Sequence, residues 1–161
     1  MPKDFEFFTN FPPLKAATSL DQGLAKASGK MLSLIAIDLD RFSDINARFF
    51  IPGGDSVIAS ISRLVSLLSI SPDLAARDGG DQFSLILPAT ESASARQEAE
   101  RIRKKIARNP IRVRDEVVEI TASVGVATAT FTEAEPWELY LRARNAVHQA
   151  KDLGGNRVAV G

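Results

Sequence analysis

Met31 to Asp38 reads MLSLIAID, a short and nearly continuous apolar run. A run of this length predicts a buried strand. A buried strand has to be covered, and the flanking sequence supplies covers. From Val57 to Leu68 the apolar positions 57, 58, 61, 64, 65 and 68 recur at helical spacing on one face. Asp55 stands just before them, where a carboxylate suits the start of a helix dipole.

Further along, Leu74–Asp78 and Gln82–Leu87 flank Gly79-Gly80 and read as a hairpin with a tight turn. Thr90 is placed to cap a helix running to about Arg108, with Ala95, Ala99, Ile102 and Ile106 inward. Val117–Thr121 and Ser123–Ala129 read as two strands, Pro136 to about Lys151 as a last helix stopped by Gly154-Gly155, and Arg157–Val160 as a closing strand. Upstream, Phe5, Phe7, Phe8 and Phe11 precede Pro12-Pro13, and Ser19-Leu20-Asp21-Gln22 resembles a capping box. Residues 1–30 are therefore expected to be a docking segment with a helix, and 31–161 the main domain. Strands and helices mixed in this order predict one sheet with helices packed on it.

Composition narrows the function classes. The 161 residues fit one domain. With no cysteine, a disulfide scaffold and a cysteine-ligated zinc site are excluded. Twenty basic and twenty acidic side chains cancel, which disfavours bulk electrostatic binding to nucleic acid. No apolar run reaches the length of a membrane span, and the N-terminus lacks the pattern of a signal peptide, so a cytoplasmic location is expected.

Chemistry is expected where carboxylates meet turns. Asp38 and Asp40 end the first strand and are expected to face opposite ways, leaving one of them for any site. Asp81 follows the glycine pair. If the hairpin lies beside the first strand, Asp38 and Asp81 can share a hard cation such as Mg²⁺, which takes oxygen ligands. The alternative is that these are ordinary turn and strand-end aspartates.

The stretch Arg77-Asp78-Gly79-Gly80-Asp81-Gln82-Phe83 resembles the signature of the GGDEF family, the bacterial diguanylate cyclases. Ile37-Asp38-Leu39-Asp40-Arg41-Phe42-Ser43-Asp44-Ile45-Asn46 is similar to that family's first motif, D-x-D-x-F-K-x-I-N. Gly54-Asp55, Thr121 to Val126, Ala150-Lys151, Gly154 and Asn156-Arg157 continue in register, and Phe8 to Pro12 resembles a worn L-T-G-L-P turn. The resemblance implies an α+β fold like a polymerase palm (ferredoxin-like), with a central, mostly antiparallel sheet flanked by helices. It implies two facing domains, each holding one GTP, whose 3′-hydroxyls attack the partner's α-phosphorus to give cyclic di-GMP. Asp38, Asp81 and the carbonyl of Leu39 would hold Mg²⁺ or Mn²⁺. Asp81 and residue 82 would stand at the catalytic end. Asn46 and Asp55 would read guanine, while Phe42, Ser43 and their loop, with Lys151, would meet the phosphates.

Several positions depart from the family pattern. The signature glutamate is Gln82, the lysine of the first motif is Ser43, and the arginine after Gly154 is Gly155. In the last helix the family's aspartate is Arg144 and its tyrosine His148. Losing the two cations at 43 and 155 is expected to weaken triphosphate binding by roughly 10²-fold. Of the family's product-inhibition site only Asp73 and Arg101 remain, because Ile70 stands where the arginine belongs. The expectation is a domain of cyclic di-GMP signalling that binds GTP or another guanine nucleotide with metal but has weak or no cyclase activity. An active cyclase and a structural dimerisation or interaction module are the alternatives. Cyclic di-GMP, a second copy, and a sensor or effector domain are the partners this implies. The basic stretch Arg101, Arg103, Lys104, Lys105 and Arg108 reads as a solvated helix face, and His148 as structural.

Overall fold

The computed structural model describes residues 31–69, 74–130 and 136–161. The expected N-terminal docking segment and helix, and Asp73, lie outside these residues. The chain runs β1 (Met31–Leu39), α1 (Phe42–Leu68), β2 (Ala75–Gly79), β3 (Gln82–Pro88), α2 (Ser92–Ala107), β4 (Ile111–Val113), β5 (Glu116–Val118), β6 (Ala122–Thr130), α3 (Pro136–Asp152) and β7 (Val158–Val160). The main sheet has the order β2-β3-β1-β6-β7, antiparallel except for the parallel β6–β7 pair. It is the α+β, palm-like architecture expected from sequence, with MLSLIAID at its centre.

Strand alternation sorts the core into two layers. Ile35, Ile37 and Leu39 of β1 pack with Val57, Ile61 and Val65 of α1 and with Ala95, Ala99, Ile102 and Ile106 of α2. Leu32, Leu34 and Ala36 face the other way, onto Leu139, Ala143 and Val147 of α3. Helix α3 lies very close to β6: a Cβ on Gly125 would stand 2.0 Å from the Ala143 carbonyl oxygen. Only a glycine allows that approach.

Three expectations need correction. Helix α1 starts at Phe42 rather than near Val57, and it is broken at Phe50, whose φ of 59° and ψ of −176° are not helical. Pro52, in the first turn of the second segment, fits a new helix start there. Asp55 falls near the start of this second segment, where a carboxylate suits the helix dipole, as expected. The strand expected over Val117–Thr121 is only Glu116–Val118, and it pairs with β4 in a separate two-stranded ribbon. Such three-residue strands are too short to show a period. Lastly, Glu91 rather than Thr90 holds the N-cap position of α2, because the Thr90 hydroxyl donates to the Pro88 carbonyl at 2.9 Å.

Candidate functional site

Asp38 ends β1 opposite Gln82 of β3 and Ser123 of β6. It shares the parity of Leu32, Leu34 and Ala36, so it faces α3. Asp40 shares that parity too. The two aspartates therefore lie on one side of the sheet, contrary to the expected opposite orientation, because residues two apart on a strand share a face. Lys151 in the last turn of α3 confirms the placement, with its Nζ 2.7 Å from Asp38 Oδ1 and 3.9 Å from Asp40 Oδ1.

Each aspartate has a different job. Asp40 accepts from Thr121 Oγ1 at 2.7 Å, Ser123 Oγ at 2.7 Å and the Asn156 amide at 2.8 Å. It ties the end of β1 to β6 and to the turn after α3. Asp38 is the more charged junction. Its Oδ2 lies 3.1 Å from Arg144 Nη2 and 3.1 Å from Gln82 Nε2, while its Oδ1 receives Lys151. Arg144 Nη1 also donates to the Ile37 carbonyl at 3.4 Å, and Lys151 Nζ to the Leu39 carbonyl at 3.3 Å.

The Gly79-Gly80 turn brings Asp81 to this place. Gly79 at φ 140° and Gly80 at φ 53° make the tight reversal, and Leu39 N donates to Asp81 O at 3.2 Å. Burial pushes the Asp81 carboxyl above the usual carboxylate range, and the Asp38 charge adds to the rise; the charges of Lys151 and Arg144 oppose it. A carboxylate whose charge is disfavoured by a second one nearby is a place where a cation would be welcome. If both carboxylates and the Leu39 carbonyl were to bind one ion, the donor set would be all oxygen, the chemistry that Mg²⁺ or Mn²⁺ prefers. Among the described residues no three acidic or histidine side chains gather to hold a metal alone, so water and phosphate oxygens would complete its shell.

The expected guanine readers also come together. The Phe50 break folds the second segment of α1 back beside the first, and a Cβ on Gly54 would lie 1.8 Å from Asn46 Oδ1 and 3.2 Å from Phe42 Cζ. Asn46 thus lies over Gly54, next to Asp55, and both readers are exposed. Ser43 is exposed in the first turn of α1, after a turn that Arg41 makes at φ 53°. The Asp40 amide donates to the Thr121 carbonyl at 2.8 Å and the Asp44 amide to the Arg41 carbonyl at 3.0 Å. Gly155 has φ 72°, and a Cβ there would sit 3.1 Å from the Asp40 carboxylate. An arginine at this position would be strained in this backbone. Arg101 is held by Glu98 and the Leu68 carbonyl, and His148 is exposed.

Sequence reasoning missed two members of the site. Arg144 stands two turns before Lys151 on the same face of α3, a spacing that could have flagged it. Asp78 is half-buried within reach of the Arg144 charge. Asp78 Oδ2 accepts from Ser84 and, at 3.4 Å, from Tyr140, while Oδ1 has no hydrogen-bond partner among the described residues. Burial raises its pKa, against the pull of Ser84 and Arg144.

The chain as a whole is similar to known proteins. Diguanylate cyclase A of Treponema denticola is 32% identical over 129 residues, 80% of this chain and 35% of that protein. The chain spans only 22% to 35% of the length of the curated diguanylate cyclases it matches. The GGDEF domain of YfiN (TpbB) from Pseudomonas aeruginosa superposes with a TM-score of 0.82 at 28% identity, covering 94% of both chains. The GGDEF domain of DgcB from Caulobacter crescentus, solved with c-di-GMP, gives a TM-score of 0.76 at 27% identity and covers 89% of each chain. A family model for the diguanylate cyclase GGDEF domain matches residues 14–157, and on that match this chain belongs to the GGDEF family.

Proposed function

We propose that this diguanylate cyclase-type domain binds a guanine nucleotide beside Asp38 and Asp81 and forms little or no cyclic di-GMP. The observation that carries this reading is the state of Asp38: both of its oxygens already hold protein donors, Arg144 and Gln82 on one, Lys151 on the other. Asn46 and Asp55 supply acceptors and a donor for the guanine edge. Lys151 is about one-third exposed on a flexible stem and can turn from Asp38 to the phosphates. Mg²⁺ or Mn²⁺, when held by Asp38, Asp81 and the Leu39 carbonyl, would supply charge against the phosphate oxygens. Gln82 brings no carboxylate to that end, and Ser43 and Gly155 bring no cation to the other. Each preorganised group of this kind is commonly worth roughly 10²–10³-fold in rate.

The site would act in the cytoplasm, where GTP is present, with a second copy or a sensor or effector domain as partner. No helix among the described residues is long and apolar enough to cross a membrane. An active cyclase is the second reading, favoured by the retention of Asp38, Asp81, Asn46 and Asp55 together. One experiment separates the readings: thermal melts with GTP or ATP and Mg²⁺, followed by chromatography for cyclic di-GMP. Stabilisation by GTP without product is expected. Robust product would establish the active cyclase, and no stabilisation would leave an interaction module.

A further inference from the structure

Resting on the reading that Asp38 belongs to the metal end of the site, we propose that Arg144 is a tethered counter-ion of Asp38. It competes with a divalent cation for that carboxylate and so sets the metal affinity of this domain. The pair is nearly buried, with side chains 9% and 11% exposed and Nη2 3.1 Å from Oδ2. A guanidinium cannot step aside by losing its proton. Nor can it readily swing out, because its second nitrogen is anchored on the Ile37 carbonyl. Its charge also acts on the half-buried Asp78, Asp81 and Tyr140, so it faces a cluster of acidic groups and not Asp38 alone.

Lys151 behaves differently on the same carboxylate. It is 34% exposed, and its departure toward phosphate would free Asp38 Oδ1. A cation entering there still meets the fixed charge of Arg144 on the neighbouring oxygen. Direct Mg²⁺ ligands stand at about 2.1 Å, so the two positive centres would sit on one small carboxylate at close range. The expected result is a site whose cation binding is weakened by this chain's own arginine, whatever becomes of the nucleotide.

Mn²⁺ titration followed by electron paramagnetic resonance, on nucleotide-free protein, tests this directly. Arg144→Met should bind Mn²⁺ roughly tenfold or more tightly than the unaltered chain, the worth of one charge-assisted contact. Adding Asp38→Asn should abolish the gain. Removing a buried charge can unfold a protein, so the double variant Arg144→Met, Asp78→Asn, which removes one charge of each sign from the cluster, should show the same gain. Unchanged or weaker Mn²⁺ binding in the folded variants overturns the proposal. GTP-induced stabilisation is measured on the same proteins. If GTP binds but the Mn²⁺ gain is missing, the arginine proposal falls and the nucleotide reading stands. A Mn²⁺ gain without GTP binding gives the reverse.

Discussion

Gln82 Nε2 donates to Asp38 Oδ2 across 3.1 Å, from the position directly opposite in the β1–β3 ladder. A glutamate there would replace this donor by a second carboxylate. Gln82→Glu should therefore destabilise the metal-free protein by roughly 1 kcal/mol, a Tm loss of about 3 °C. Millimolar Mg²⁺ should restore more stability to the variant than to the unaltered chain. Differential scanning fluorimetry with and without Mg²⁺ reads both effects, and equal responses would contradict the placement of residue 82 at the cation.

Asp40 holds β1, β6 and the turn after α3 through three charged hydrogen bonds. Asp40→Ala should cost roughly 3 kcal/mol, since the donors of Thr121, Ser123 and Asn156 lose their common acceptor. Asp40→Asn keeps one acceptor oxygen and should lose less. Urea denaturation distinguishes them, and a neutral Asp40→Ala would show that water replaces the carboxylate without loss.

Tyr140 is the single tyrosine of the chain, so its ionisation can be followed by ultraviolet absorbance. Burial first, and then the charge of Asp78, push its pKa up to about 12. The unfolded value is lower, near 10. The phenol is thus more easily kept protonated in the folded state. Its contribution to stability is whole below about pH 10 and is lost as pH rises through about 12. Asp78→Asn should move the folded midpoint downward, and an unmoved midpoint would separate the two side chains.

Asp55 is exposed, so Asp55→Ala should leave the unfolding free energy of the free protein within roughly 0.5 kcal/mol of the original. It should also remove the preference for GTP over ATP. Calorimetry with both nucleotides measures it, and a preference that survives the change would take guanine reading away from this residue.

The strand MLSLIAID, the Gly79-Gly80 hairpin and the inward face of α2 were legible because their signals are local. An apolar run, a pair of glycines and a spacing of three or four residues are all set by neighbours in the chain. The same is true of the aspartates that cap those strands. The break at Phe50 and the β4–β5 ribbon were not legible, since one is an isolated backbone conformation and the other pairs three-residue segments. What surrounds Asp38 also escaped. Its partners come from β3 and from α3, and no local period connects them. Arg144 reaches Asp38 because α3 lies against β6 at Gly125, where the backbone of Ala143 comes closer than any side chain would allow. The sequence by itself determined the central strand, the hairpin, the inward face of α2 and the acids at the strand ends. Only the tertiary structure decided which cations meet those acids, because that depends on how a helix is laid across the sheet.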